Sequence, residues 1–130
     1  MAKRPRGYSN STLDNLWAQR VKENSNWECE LCKAGIPDGG GKISAHHFYG
    51  RRNRSTRWYI PNGIALCENH HTGNRYSAHG SPAWLQNEMV KIRGEEWLDD
   101  LIERAARIFK WQKHLPEIKA YLKNELEDYL

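Results

Sequence analysis

The chain has 130 residues, enough for one modest hydrophobic core, so we expect a single domain spanning residues 1–130. It carries 20 Lys and Arg against 16 Asp and Glu, a formal net charge of +4, and lacks an apolar run of the roughly 18 residues that a membrane span needs. The first six residues also lack the apolar stretch of a secretion signal, so we expect a cytoplasmic protein that contacts no membrane.

The first predicted elements are an arm, a helix and a strand. Residues 1–8 form a basic arm that we expect to be disordered until it settles on a phosphate backbone. Ser11 is expected to cap a helix that runs to Asn24, because apolar residues recur there at helical spacing. Residues 35–41 are rich in turn formers and predict a loop, and residues 42–48 predict a strand.

The loop predicted at residues 49–58 has the densest positive charge and no acidic residue. Its basic residues are Arg51, Arg52, Arg54 and Arg57. Residues 1–80 hold 12 basic and 6 acidic side chains, against 8 and 10 in residues 81–130, so a polyanion would meet the first part. We expect the four arginines to neutralise DNA phosphates, the alternative being a solvated loop. Trp58 and Tyr59 either stack on an unpaired base or pack, and core packing is favoured for Trp58.

Later elements are mostly helical. They are short extended pieces at residues 59–60 and 64–66, a helix start near residues 67–71, a helix from Pro82 to Gly94, another over residues 97–109, and a last one from Pro116 carrying apolar residues as far as Tyr129. The C-terminal helices, residues 95–130, are expected to act as scaffold or as a homodimer surface. The pattern as a whole predicts an α+β fold.

Two pairs of metal-ligating residues stand at knuckle spacing, Cys29-x2-Cys32 and Cys67-x2-His70. A two-residue gap lets both members of a pair reach one tetrahedral ion, and this set suits structural Zn²⁺. Three cysteines cannot all pair with one another, so metal thiolates in a reducing compartment fit better than disulfides. Taken alone, Cys67 can also be read as a small buried residue at a strand end.

Histidines cluster between and beside these knuckles, since five of the six lie between residues 46 and 79. Closing a zinc site would bring the strand carrying His46 and His47 towards His71. Adjacent strand residues point to opposite faces, so one of the pair can bind a divalent cation while the other accepts a proton from water. This arrangement is typical of phosphodiesterases, although a histidine pair in a strand is more often structural or at the surface.

These motifs occur in a characteristic order. They are Trp27-x-Cys29-x2-Cys32, Ala45-His46-His47-Phe48-x-Gly50-Arg51-Arg52, Arg57-Trp58, Asn62-Gly63-Ile64-x-Leu66-Cys67-x2-His70-His71 and Ala78-His79-x2-Pro82. With them the chain resembles the HNH endonuclease family, particularly its small phage-type members, over about residues 15–90. The resemblance implies a zinc-stapled ββα-metal (His-Me finger) core with flanking N- and C-terminal helices, and the host-cell cytoplasm as its location if the protein is phage-encoded.

The resemblance also implies roles for individual residues. His46, His71 and His79 match ligands of a catalytic divalent cation, Mg²⁺ or another such as Mn²⁺ or Ni²⁺. His47 matches the general base, and Asn62 matches the asparagine that ties the loop between the strands and orients that base. The structural zinc would be held by Cys29, Cys32, Cys67 and His70.

Two departures from the family pattern leave ligand assignments open. The second knuckle ends in histidine rather than cysteine, so either His70 or His71 can be the zinc ligand, with the other binding the catalytic cation. Eight residues separate His71 from His79, whereas many family members place the two histidines one helical turn apart.

The function we expect is a metal-dependent DNA endonuclease that nicks or cuts DNA with weak sequence specificity, because no recognition helix is evident. One alternative is a zinc-stapled DNA-binding protein without catalysis. Another is a nuclease selective for branched DNA or junctions, which dimerisation through the C-terminal helices would support.

Overall fold

The computed structural model describes residues 4–130, so residues 1–3 of the predicted basic arm lie outside the described residues. The elements in order are α1 (Asn10–Asn24), α2 (Glu30–Lys33), β1 (Ile43–His47), a 3-10 turn (Ile60–Asn62), β2 (Gly63–Cys67), a π turn (Asn69–Gly73), α3 (Pro82–Arg93), α4 (Glu95–Ala105), a second 3-10 turn (Trp111–Lys113) and α5 (Leu115–Leu122). The predicted mixture of helices with a small sheet is confirmed. Within residues 4–130, none of the helices combines the length and apolar character of a membrane span.

The helix α1 begins earlier than its sequence pattern predicts. Ser9, not Ser11, is the N-cap: its backbone is extended (φ −68°, ψ 157°) and its hydroxyl accepts a hydrogen bond from the Thr12 amide. Either serine satisfies the local capping pattern, and capping at Ser9 lengthens the helix by two residues, the first of which, Asn10, accepts hydrogen bonds from Arg4 and Arg54.

The described part of the basic arm packs against the rest of the protein. The Arg4 guanidinium donates to Asn10 Oδ1 at 2.6 Å and lies 4.4 Å from the centroid of the Trp111 ring. Tyr8 packs against the hydrophobic cluster formed by α1 and α5. These contacts join Arg4 and Tyr8 to the C-terminal segment, and the expected disorder of the free arm stays a prediction.

The two strands pair antiparallel, with His46 opposite Ile64 and His47 opposite Gly63. Every residue of β2 is buried, whereas β1 is half-buried along its length. A Cβ on Gly63 would collide with the Val21 side chain and lie 2.8 Å from Trp17, so glycine lets α1 lie directly on the sheet.

Residues of β2 alternate between two hydrophobic clusters. Ala65 packs with α1 and α5, beside Trp17 and Trp58. Ile64 and Leu66 pack on the opposite face, with the first knuckle and α3. The sheet therefore separates two cores, and successive residues of the paired strand β1 belong to different sides.

The C-terminal helices are shorter than predicted. The predicted helix over residues 97–109 begins at Glu95 and ends at Ala105, leaving Ile108 with 96% of its surface exposed. The last helix begins at Leu115 and ends at Leu122, because Asn124 adopts a left-handed conformation (φ 62°) that closes it. Apolar spacing alone does not mark these ends.

The region around the knuckles also differs from the expectation. The extended piece predicted at residues 59–60 is replaced by the turn Ile60–Asn62, in which proline occupies an early position. The short helix α2, which was not predicted, contains Cys32 and has Cys29 as its N-cap residue. It supplies the backbone turn that brings them together.

Candidate metal centres

Cys29, Cys32, Cys67 and His70 converge, with their ligand atoms within 4.8 Å of one another. His70 Nδ1 lies 3.5 Å from the Sγ atoms of Cys29 and Cys32 and 3.4 Å from that of Cys67. The Sγ atoms of Cys32 and Cys67 are 3.8 Å apart. A Zn²⁺ ion with ordinary bond lengths sets its tetrahedral ligands about 3.8 Å apart for two sulfurs and about 3.6 Å apart for sulfur and nitrogen. The cluster is thus compatible with zinc.

The loop before β1 closes over this cluster. A Cβ on Gly39 would collide with Cys32 Sγ and lie 3.1 Å from His70 Cε1, so only glycine leaves the donors undisturbed. The Gly40 amide donates to Cys67 Sγ at 3.3 Å, and the carbonyl of Pro37 accepts from His70 Nε2 at 2.8 Å. Because a carbonyl only accepts, His70 Nε2 carries the proton and Nδ1 presents its lone pair to the cysteines.

The thiol chemistry also suits a cation. Loss of solvent, followed by the neighbouring thiols of Cys29 and Cys67, raises the pKa of Cys32 to about 12. Three ionised thiolates cannot coexist at this spacing without a compensating charge, and a bound divalent cation supplies it.

A second cluster consists of His46, His71 and His79, whose ring nitrogens also lie within 4.8 Å of one another. The Nε2 atoms of His71 and His79 are 3.1 Å apart. Imidazole ligands about 2.1 Å from one ion stand about 3.0 to 3.4 Å apart in octahedral or tetrahedral geometry. Three nitrogen donors can therefore hold one divalent cation here, and such donors suit Ni²⁺ or Zn²⁺ better than Mg²⁺.

The backbone explains how distant residues reach this cluster. His46 lies on the same face of the sheet as Ile64, towards the second knuckle. His70 and His71 are consecutive in the π turn, and the structure brings the first to the cysteines and the second to His46. This geometry decides between the two assignments that the sequence left open.

His79 arrives by a return loop rather than by a helical turn. The amide of Ala78 donates to the carbonyl of His70 at 2.8 Å, and that of His79 donates to the carbonyl of His71 at 3.0 Å. These two bonds align the returning chain beside the π turn. Eight residues of separation therefore still bring the ring of His79 beside that of His71.

Burial keeps the rings of His46 and His71 uncharged at neutral pH. Burial, followed by the charges that His71, His79 and His47 would carry, lowers the pKa of His46 to about 3. Burial and His79 likewise lower the pKa of His71. Ser44 Oγ lies 3.1 Å from His71 Nδ1. When Nδ1 carries the proton and donates it to this hydroxyl, the lone pair of His71 Nε2 remains available to a cation beside His79.

His47 lies on the opposite face of β1 from His46. Its ring stacks on Trp17, with centroids 3.7 Å apart and planes 10° from parallel. His47 Nε2 donates to the carbonyl oxygen of Arg57 at 2.9 Å, so the lone pair resides on Nδ1. Burial lowers the pKa of His47 to about 4, despite the opposing effects of this hydrogen bond and of Asp14. The ring is therefore neutral at pH 7.

Asn62 is completely buried and bonds to the chain just after β1. Its Oδ1 accepts from the Tyr49 amide at 2.8 Å, and its Nδ2 donates to the Tyr49 carbonyl at 3.0 Å. It thereby holds the end of the strand that carries His46 and His47. The role of Asn62 in orienting His47 stays a prediction.

The four arginines are not equivalent. Arg51 and Arg52 are exposed, and the side chain of Arg51 retains 67% of its exposure. Arg54 is half-buried and lies 4.4 Å from the centroid of Trp111. Arg57 is buried, so the expectation that it contacts DNA phosphates is wrong.

Arg57 is buried because Asp14 of α1 neutralises it. Its Nε and Nη2 donate to the two carboxylate oxygens of Asp14 at 3.0 and 2.7 Å, and Trp58 Nε1 donates to Oδ1 at 2.9 Å. Sequence reasoning missed this pairing, since nothing local links residues 43 positions apart. The same Arg57 orients His47 through its carbonyl oxygen.

The chain matches no protein-family profile, no curated protein and no solved structure.

Proposed function

We propose that the protein is a metal-dependent DNA endonuclease with a ββα-metal core formed by β1, β2 and the π turn. One observation carries the proposal: adjacent residues of β1 serve two different environments. His46 joins two other imidazoles in a cation-sized cluster, and His47 presents a lone pair with its other nitrogen fixed by a carbonyl. A metal ligand beside an oriented base is what hydrolysis of a phosphodiester requires.

In this proposal His47 removes a proton from the water that attacks phosphorus. The carbonyl of Arg57 and the stacked Trp17 ring fix the imidazole plane, so the base loses little orientational freedom. Asn62 holds the strand end in register. A divalent cation bound by His46, His71 and His79 would supply charge stabilisation of the phosphate oxygens and of the leaving oxygen.

Substrate binding rests on the exposed basic residues of the loop after β1. The charge of Arg51 contributes to the lowered pKa of His47, which indicates that this guanidinium stands near the proposed base. Arg51 and Arg52 therefore suit the phosphates flanking the scissile bond. The Cys3His site has a structural role in this scheme, because it fixes the two knuckles that bracket β1 and β2.

The test is a plasmid-nicking assay with zinc-loaded protein and added Mg²⁺, Mn²⁺ or Ni²⁺. We expect His47→Ala to lower the cleavage rate about 100- to 10,000-fold, the usual contribution of a general base, with unchanged circular dichroism. His114→Ala is the matched control, since His114 stacks on Phe109 outside both clusters. It should cleave at the wild-type rate.

Cleavage by His47→Ala at the wild-type rate would rule out its role as the base. If the wild type cleaves neither supercoiled, single-stranded nor branched DNA with any of the three metals but binds DNA, the protein is a zinc-stapled DNA-binding protein.

A further inference from the structure

A cavity of about 470 Å³ is lined in part by the return loop that leads to His79. Ile36 and Asp38 line it from the loop before β1, Asn74, Arg75 and Tyr76 from the return loop, and Trp84 from α3. Tyr76 leaves 56% of its surface exposed here, although it is one of the larger apolar side chains. Neither of the proposed roles of the metal clusters uses these residues.

The cavity combines two aromatic faces with an arginine guanidinium. The rings of Tyr76 and Trp84 have centroids 5.7 Å apart and planes inclined by 54°, so they form two walls instead of stacking on each other. The guanidinium of Arg75 lies 5.8 Å from the Tyr76 centroid. The exposed carboxylate of Asp38 stands at the rim. A planar ring with amino groups along one edge and a covalently linked anionic group matches these features. The ring suits the two aromatic faces, the amino groups suit Asp38, and the anionic group suits Arg75.

The cavity and the metal cluster share one short segment of backbone. Ser81 Oγ donates to the carbonyl of Arg75 at 2.9 Å, and the amide of Gly80 donates to Ser77 Oγ at 3.0 Å. A Cβ on Gly80 would lie 2.7 Å from the Arg75 carbonyl oxygen, so the loop is closed tightly on itself. These contacts hold the segment from Arg75 to Ser81, which includes Tyr76 and His79, in one tight turn.

We infer that this cavity binds an unpaired nucleobase of the DNA strand whose backbone passes the His46–His71–His79 cluster. The inference rests on the proposed function and adds a substrate preference to it. A base stacked in duplex DNA cannot enter the cavity unless it leaves the helix, which costs unstacking energy. Single-stranded or branched DNA offers such a base at no cost, so the protein prefers it to intact duplex.

Binding can be tested without cleavage in the His47→Ala background, by fluorescence anisotropy of a labelled single-stranded oligonucleotide and of a blunt duplex. Adding Tyr76→Leu removes the aromatic face but keeps apolar bulk, and we expect affinity for the single strand to fall about tenfold. Tyr76→Phe keeps the ring and should stay within twofold. Affinity for the duplex should not change with either substitution.

Trp27→Leu provides the matched control. Trp27 is 53% exposed with the Lys22 ammonium 5.1 Å from its ring, much as Tyr76 is accompanied by Arg75, but it does not line the cavity. It should bind the single strand as the parent does. A loss below twofold for Tyr76→Leu, an equal loss on the duplex, or an equal loss for Trp27→Leu would each overturn the inference.

Failure of the proposed function has a different signature. If the wild type never cleaves DNA but Tyr76→Leu still weakens single-strand binding selectively, the cavity is a nucleobase site on a binding protein. If cleavage is present and metal-dependent while Tyr76→Leu binds the single strand normally, the endonuclease stands and the cavity inference is wrong.

Discussion

Asp14→Ala is expected to destabilise the protein strongly although Asp14 lies in neither metal cluster. The carboxylate accepts two hydrogen bonds from Arg57 and one from Trp58. The side chains of Arg57 and Asp14 are only 10% and 14% exposed, so water cannot replace the lost partner easily. The substitution leaves a buried guanidinium without its counter-charge and a fully buried indole N–H without an acceptor.

The magnitude follows from that burial. Breaking a buried ion pair from one side costs about 3 to 5 kcal/mol, because the remaining charge stays desolvated. The orphaned indole N–H belongs to the same network, so its cost of about 1 kcal/mol or more overlaps with this figure. We expect the free energy of unfolding to fall by about 4 kcal/mol, which lowers the melting temperature by about 10 to 15 °C.

Urea unfolding of the zinc-loaded protein, followed by circular dichroism, measures this loss. Asp14→Ala/Arg57→Met removes both charges and should recover part of the stability, since no unpaired charge remains. Glu88→Ala is the control, because Glu88 pairs with the exposed Lys91 and should cost less than about 1 kcal/mol. A loss below about 1 kcal/mol for Asp14→Ala, or a double variant no more stable than the single one, would refute the reasoning.

The same ion pair makes part of the stability depend on pH. Burial opposes ionisation of Asp14, but hydrogen bonds and the charge of Arg57 outweigh it and hold the pKa below its usual value. The stabilisation is therefore complete well above the unfolded pKa of about 3.9 and is lost as the pH falls through the folded pKa. The stability difference between wild type and Asp14→Asn, measured by urea unfolding, should narrow below about pH 4; a difference that widens there contradicts this sign.

Three further outcomes are expected. Gly39→Ala should lose zinc, measured by metal analysis after dialysis, because its Cβ meets Cys32 Sγ, whereas Gly50→Ala should retain it, since no atom lies within 4 Å. His46→Ala should keep the zinc and the fold but lose the second metal ion, and loss of both ions would contradict two separate sites. Arg51→Gln should reduce the slope of log affinity for duplex DNA against log salt by about 0.9, whereas the exposed Arg107→Gln should leave it unchanged.

Features governed by short-range geometry could be predicted from the sequence. The spacing of each knuckle indicated four ligands that the structure brings together. The alternation of side chains along a strand predicted that His46 and His47 serve different faces, and the register with Ile64 and Gly63 confirms it. These inferences needed only backbone periodicity and bond lengths.

Features governed by distant pairing could not be predicted. Arg57 carries the same local signal as Arg51, and only the approach of Asp14 from α1 decides that one is buried and the other exposed. Aromatic residues behave in the same way: Trp58 is completely buried, whereas Tyr76 is exposed in the cavity. The composition of a loop does not reveal which of its side chains will find a partner elsewhere in the chain.

The adjacency of His70 and His71 links the two metal clusters mechanically. One peptide unit joins a ligand of the Cys3His site to a member of the histidine cluster, and the carbonyls of both residues accept amides from the return loop. A zinc ion that fixes His70 therefore also fixes the orientation of His71 and the position at which His79 returns. The histidine cluster has no other covalent anchor of this kind, since His46 reaches it from a separate strand. We therefore expect formation of the Cys3His site to be a precondition for assembling the second site.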